Sequence, residues 1–178
     1  MLLALLSDTH DNAATTRAAL ALLAPHKPAA YLHAGDLVAP EMLELFAGLP
    51  FYFVFGNNEF DLPALRSRAH ALNLTCLESF GDLAIANDAL ASFTPKSPPE
   101  AVRIALLHGH EHSRLDRALR SGHYRYLIHG HTHQTRDETV SFAGPPTRII
   151  NPGALQRTRT KSVALLNTNS DELCFFSL

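Results

Sequence analysis

The pattern that most restricts how this chain can fold is a repeated one: a short apolar run that ends in a polar cluster. Met1–Leu6 is apolar throughout and hands over to Asp8-Thr9-His10. The same hand-over recurs at Ala29–His33 before Gly35-Asp36, and at Phe51–Phe55 before Gly56-Asn57-Asn58-Glu59. It returns at Arg103–Leu107 before His108-Gly109-His110, and at Tyr124–His129 before Gly130-His131-Thr132-His133. Continuous apolar runs of this length suit strands covered on both faces. Between the first of them lie Ala13–Ala24, rich in Ala and Leu and stopped at Pro25, then Pro40–Ala47, then a stretch from Pro63 to about Leu72. Each reads as a helix with a proline at its start or stop. In parallel α/β sheets the carboxyl ends of the strands gather along one edge, where ligands bind. Five segments far apart in sequence would therefore deliver carboxylate, imidazole and amide groups to one place.

Beyond the third run the pattern turns β-rich. Leu74–Leu77 and Leu83–Asn87 read as short strands, Thr94–Pro99 as a proline-rich loop and Ser113–Arg120 as a helix. Thr139–Ala143, Thr147–Ile150, Ser162–Asn167 and Glu172–Phe176 read as strands separated by turn residues. A βαβαβα half followed by a β-rich half predicts an α/β domain of two sheets packed face to face with helices outside. At 178 residues with 46% hydrophobic content, the chain fits a single domain, 1–178, with a core that needs no disulfide.

Charge narrows the partners. A net charge of −2 gives no global pull towards nucleic acid or anionic membrane. The opening apolar run is too short to cross a bilayer and lacks the basic flank of a signal peptide, so a cytoplasmic protein is expected. Cys76 and Cys174 match no metal or redox spacing and read as buried small residues. Histidine is the outlier: there are 11 against 15 Lys+Arg, and seven of them fall between positions 108 and 133. Histidine is the commonest metal ligand and a frequent catalytic base.

Taken singly, Asp-x-His can be a helix cap beside a surface histidine, and Gly-Asp or Gly-Asn-Asn a turn. In this order, each after a strand, the motifs resemble those of the calcineurin-like metallophosphoesterases: D-x-H, G-D, G-N-x-[E/D], H-x-[G/H] and G-H-x-H. Asn151-Pro152-Gly153-Ala154 is similar to that family's N-P-G-S loop, with alanine for serine. Size and lack of insertions resemble its small bacterial and archaeal phosphodiesterase branch. The resemblance implies a four-layer α/β/β/α sandwich and two divalent transition-metal ions. Asp8, His10 and His133 would hold one ion; Asn57, His108 and His131 the other; Asp36 would bridge both. Such a nitrogen and oxygen set favours Mn, or else Ni, Co, Fe or Zn, over Mg or Ca. Two ions about 3.5–4 Å apart can stabilise attacking and leaving oxygens, with a hydroxide bridging them as nucleophile. Asp36, Asn57 and His110 are then the residues expected nearest the chemistry, His110 through substrate or through a ligand. His33 and His129 are expected to orient ligands or fill the core. His26, His70, His112 and His123 are expected at the surface, and Arg157, Arg159 and Lys161 read as a solvated charge run.

One position departs from the pattern. Many members carry, after the metal-binding Asn, a histidine that protonates the leaving oxygen; here it is Asn58. Small phosphodiesterases of the family often lack it too. The expected function is hydrolysis of small phosphodiesters, with a homo-oligomer left open. The alternatives are a phosphomonoesterase or dinucleoside-polyphosphate hydrolase, and a non-catalytic scaffold of the same fold. All seven ligand positions carry ligating side chains, which separates this chain from an eroded scaffold.

Overall fold

The computed structural model describes residues 1–142 and 144–178. The first half runs β1 (Leu2–Leu6), α1 (Ala13–Leu23), β2 (Ala30–His33), a 3-10 segment (Pro40–Phe46), β3 (Phe51–Phe53), α2 (Leu62–Ala71) and β4 (Thr75–Cys76). There follow β5 (Phe80–Ala86), β6 (Ala89–Ser92), β7 (Val102–Leu107), α3 (His112–Arg120) and β8 (Tyr126–Ile128). The chain closes with β9 (Thr135–Val140), β10 (Thr147–Pro152), β11 (Ser162–Asn167) and β12 (Glu172–Ser177). Two six-stranded sheets result, ordered β12-β11-β1-β2-β3-β4 and β6-β5-β7-β8-β10-β9. In the first, β1 to β4 are parallel; in the second, β7, β8 and β10 are parallel.

Strand β1 shows why its sequence is apolar at every position. Side chains alternate across a strand, so Leu3 and Leu5 enter the core between the sheets, with Leu32, Ile104, Leu106 and Ile128. Ala4 and Leu6 enter the core beneath the helices, with Leu23, Phe46, Phe51 and Leu65. A third cluster, Leu107, Leu119, Leu127 and Ile149 among it, seals α3 onto the second sheet. The layers are thus helix, sheet, sheet, helix. Each fully buried leucine contributes roughly 1.5–3 kcal/mol by leaving water. Stacked Phe46 and Phe51, with ring centres 3.9 Å apart, fix the 3-10 segment against the sheet.

Polar side chains set the helix starts. Asn12 accepts a hydrogen bond from Thr15 N at 3.0 Å, and Asp61 accepts one from Ala64 N at 2.9 Å. Substituting such a cap by Ala costs about 1 kcal/mol.

Several boundaries differ from the sequence reading. Pro40–Ala47 is a 3-10 segment rather than an α-helix, and β5 starts earlier, at Phe80. β6 is an additional strand that returns from β5 through Asn87-Asp88, both at positive φ as a tight hairpin turn requires. The strand expected at Thr139–Ala143 begins at Thr135, directly after the Gly-His-Thr-His loop; Ala143 lies outside the described residues. The cysteines are not buried: Cys76 is half-buried on short β4 and Cys174 is exposed on the edge strand β12. Among the described residues, no helix is long and apolar enough to cross a membrane.

Candidate metal centre

The carboxyl ends of β1, β2 and β3 in one sheet, and of β7 and β8 in the other, meet at one end of the sandwich. Hydrogen bonds cross between the sheets there. His131 N donates to Asp8 Oδ2 at 3.1 Å, and His108 Nδ1 lies 2.8 Å from Ala34 O. Two glycines permit close approach, Gly130 between the sheets and Gly56 within the first sheet. A Cβ on Gly130 would overlap Ser7 Oγ and crowd Asp8 Oδ2, and one on Gly56 would overlap Asp36 Oδ1. The turns themselves are tight: Asp8, His10, Asp36, His131 and His133 all lie at positive φ, between 39° and 67°. Non-glycine residues adopt that region only when their surroundings hold them there, and such strain clusters at functional sites.

Asp8 and Asp36 form the middle of the cluster. Asp8 Oδ2 accepts from Ser7 Oγ at 2.5 Å and from His131 N, while its buried Oδ1 has no hydrogen-bond partner. That free oxygen faces His133 Nε2 at 3.2 Å and His10 Nε2 at 3.8 Å. Asp36 Oδ1 accepts from Asn57 N and Asn58 N at 2.9 and 3.0 Å. Its Oδ2 lies 3.5 Å from His10 Nε2 and 3.3 Å from His108 Nε2, and accepts from Asn58 Nδ2 at 2.6 Å. Asn57 Oδ1 is 3.0 Å from His108 Nε2. The His131 ring packs on His108 at 5.1 Å, and the His133 ring on His10 at 5.5 Å.

All seven residues expected as ligands are therefore at this one end. Their tightest groupings are Asp8, His10 and His133, and Asp8, Asp36 and His108. The chemistry of these donors fits divalent cations. Asp8 Oδ1 and both His10 nitrogens are buried without a hydrogen-bond partner. Leaving such groups unpaired costs about 1–3 kcal/mol each, more when charged, and a shared cation would offset it.

Electrostatics point the same way. Burial pushes the Asp36 carboxyl up, but His108 and the two Asn58 hydrogen bonds outweigh it and hold it well below the usual carboxylate range. Burial lowers His108, yet the hydrogen bond and charge of Asp36 win, so its net shift is upward. With Nδ1 donating to Ala34 O, a proton on Nε2 occupies the face that a cation would use. His10 and His131 shift downward, chiefly through burial, which keeps them neutral and ligand-ready.

The surrounding residues sort clearly. His110 stands beside the cluster, its ring 5.4 Å from that of His108 and its buried Nδ1 unpartnered. His33 is wholly buried, accepts from Gly35 N at 3.2 Å, and is pushed down to about 3 by burial. His129 bonds Gly130 O through Nδ1 and is pushed down to about 4 by burial. His26, His70, His112 and His123 are exposed.

Four contributors escaped the sequence reading. Buried Glu59 accepts from Leu37 N at 2.6 Å and Gly56 N at 2.7 Å, clasping the Asp36 and Asn57 loops together. Burial pushes its carboxyl up despite those donors. Asn151 Nδ2 donates to Gly130 O and Thr132 Oγ1 at 2.9 and 3.0 Å, setting the Gly-His-Thr-His loop. Ser7 orients Asp8. Asn58, read only as a missing acid, holds the Asp36 carboxylate. The motifs contained Glu59 and Asn151 without showing what they touch; nothing in the sequence marked Ser7.

The chain is 27% identical to a phosphodiesterase of Methanocaldococcus jannaschii over 177 residues, covering 97% of this chain and 96% of that one. It superposes on a solved archaeal phosphodiesterase with a TM-score of 0.83 at 24% identity, over the whole of both chains. It is also similar to Vps29 from Entamoeba histolytica complexed with zinc (TM-score 0.65, 22% identity, 99% of this chain and 91% of that one). The model of the calcineurin-like phosphoesterase superfamily domain matches residues 1–171, and the chain belongs to that superfamily.

Proposed function

We propose that this protein is a metal-dependent phosphodiesterase acting on small phosphodiesters, with two divalent ions held by Asp8, His10, Asp36, Asn57, His108, His131 and His133. The observation that carries the reading is the set of buried, unpartnered donor atoms on Asp8 and His10, aimed at the space they share with Asp36 and His133. Asp8, His10 and His133 would hold one ion, Asn57, His108 and His131 the second, with Asp36 between them. When bound, such ions supply Lewis acidity towards phosphate oxygens and a water activated at neutral pH. The imidazole-rich set favours Mn, with Ni, Co, Fe or Zn as alternatives. The chain's own residues position the rest: Glu59 ties the Asp36 and Asn57 loops together, Asn58 holds the Asp36 carboxylate, Asn151 holds the His131 loop, and His110 offers an imidazole at the rim for the substrate or its leaving oxygen.

Two further points support a diesterase over the alternatives. Asn58 has no titratable proton and is engaged with Asp36, so poor leaving groups lack the acid that many monoesterases of the family use. A scaffold would not need donors on all seven positions. The test is hydrolysis of bis(p-nitrophenyl) phosphate by chelator-treated protein resupplied with Mn. Turnover restored by Mn and abolished in Asp36→Ala supports the reading; metal binding with no turnover on any diester or monoester refutes it.

A further inference from the structure

A groove of about 660 Å³ opens directly beside His133, lined by Gln134, Thr158, Arg159, Thr160 and Phe175 among others. That size falls within the range of about 300–1,000 Å³ typical of small-molecule sites. It lies on the open side of the sandwich, where edge strand β9 of one sheet and edge strand β12 of the other leave a seam. Its chemistry is one-sided. Hydroxyls and an amide line the walls, no carboxylate does, and Arg159 makes no ion pair among the described residues. Phe175 adds an aromatic surface that is 39% exposed. The wall is shared with the metal centre: His133 Nδ1 lies 3.4 Å from Arg157 O, on the loop that carries Thr158 and Arg159. A cation without a counter-ion, hydrogen-bonding groups and an open aromatic face together match a ligand that is anionic at one end and planar at the other.

We propose that this groove is the subsite for one arm of the diester, a nucleotide-like group whose second phosphate pairs with Arg159 and whose base lies on Phe175. The assignment rests on the phosphodiesterase reading for the arm's other end, at the metal centre. It changes the status of Arg159 from a solvated charge to a specificity determinant. Arginine suits that task because its planar fork meets phosphate oxygens two at a time.

The chain contains no tryptophan, so Phe175→Trp creates a single fluorescent reporter in the groove. Metal-free Phe175→Trp protein is titrated with adenosine 5′-monophosphate, adenosine and glycerol 3-phosphate. The expected result is saturable quenching by the nucleotide, with adenosine and glycerol 3-phosphate each weaker. Adding Arg159→Ala to the reporter should weaken nucleotide binding about tenfold, the loss of one charge-assisted contact. No saturable response to the nucleotide, or one indifferent to Arg159, overturns the proposal. Equal affinity for glycerol 3-phosphate and the nucleotide overturns the role of Phe175. With Mn supplied, Arg159→Ala should lose kcat/KM for a dinucleotide about tenfold more than for bis(p-nitrophenyl) phosphate. The two readings fail differently. Hydrolysis by the parent with a silent titration sinks the groove alone, whereas nucleotide binding without hydrolysis counts for the groove and against the enzyme.

Discussion

Replacing Glu59 by alanine should damage the candidate metal centre without touching a proposed ligand. In the parent, one carboxylate bonds Leu37 N and Gly56 N at 2.6 and 2.7 Å, short distances typical of charge-assisted bonds. Those two amides flank Asp36 and Asn57, so the side chain ties one ligand loop to the next. Alanine leaves both donors unsatisfied, at about 1–3 kcal/mol each when buried. Leu37 is fully buried and takes the whole penalty; Gly56 is half-buried and water can relieve part of its share. Burial already disfavours the Glu59 charge, which returns a little more. The net loss should be about 2–4 kcal/mol, measured as urea unfolding of metal-free Glu59→Ala against the parent. Glu59→Gln keeps one acceptor but turns an NH2 towards the second donor, so it should lose about 1–3 kcal/mol. Mn affinity by titration calorimetry should fall about 10–100-fold in Glu59→Ala, as for other groups that orient metal ligands. An alanine variant within about 0.5 kcal/mol of the parent, the range of an ordinary surface change, and with unchanged Mn affinity would refute the clasp.

Other consequences follow from neighbouring contacts. Asn58→Ala removes the 2.6 Å bond to Asp36 Oδ2 and should weaken Mn binding; Asn58→His, which would offer a leaving-group acid, should raise turnover of alkyl over aryl diesters only if Mn content survives, so equal losses on both would mark the amide as a positioning group. Because the His108 shift is upward, its Nε2 proton must leave as a cation binds, and Mn affinity should fall as pH drops through the ordinary histidine range and just above it; calorimetry in buffers of different ionisation enthalpy should show proton release, and its absence near pH 6.5 would contradict the assignment. His33 is depressed to about 3 in the fold, so the unfolded chain binds its proton first: its contribution is intact above about pH 6.5 and declines as pH falls towards 3, by up to about 1.4 kcal/mol per pH unit. Imidazole nitrogen shifts should show His33 neutral at pH 5, and titration near 6.5 would disprove this.

The gathering of the candidate ligands at one end was readable because each strand is apolar up to the residue where it ends, so the first polar side chains after it are also the first at the sheet's edge. β1 shows this best, with Leu6 in the core and Asp8 two residues on. Strand β9 was misplaced for the opposite reason. Thr135-Arg136-Asp137-Glu138 lies on an edge and is largely exposed, so its sequence carries no apolar alternation. Ala89-Leu90-Ala91-Ser92 forms β6 because the Asn87-Asp88 turn folds it back onto β5, a tertiary pairing that so short and weakly patterned a run does not announce. The clasp of Glu59 and the aim of Asn58 depend on partners 22 residues away. Sequence marks that such residues are polar, not which backbone amide or carboxylate they meet.

Asp36 is proposed to join two ions within one donor set. Diffraction from Mn-loaded crystals, recorded at the Mn absorption edge and paired with metal analysis of the same protein, tests it most directly. Two anomalous peaks per chain about 3.5–4 Å apart are expected, both within bonding distance of Asp36, with Asp8, His10 and His133 on one and Asn57, His108 and His131 on the other. A single peak, or two peaks of which one lacks contact with Asp36, would contradict it.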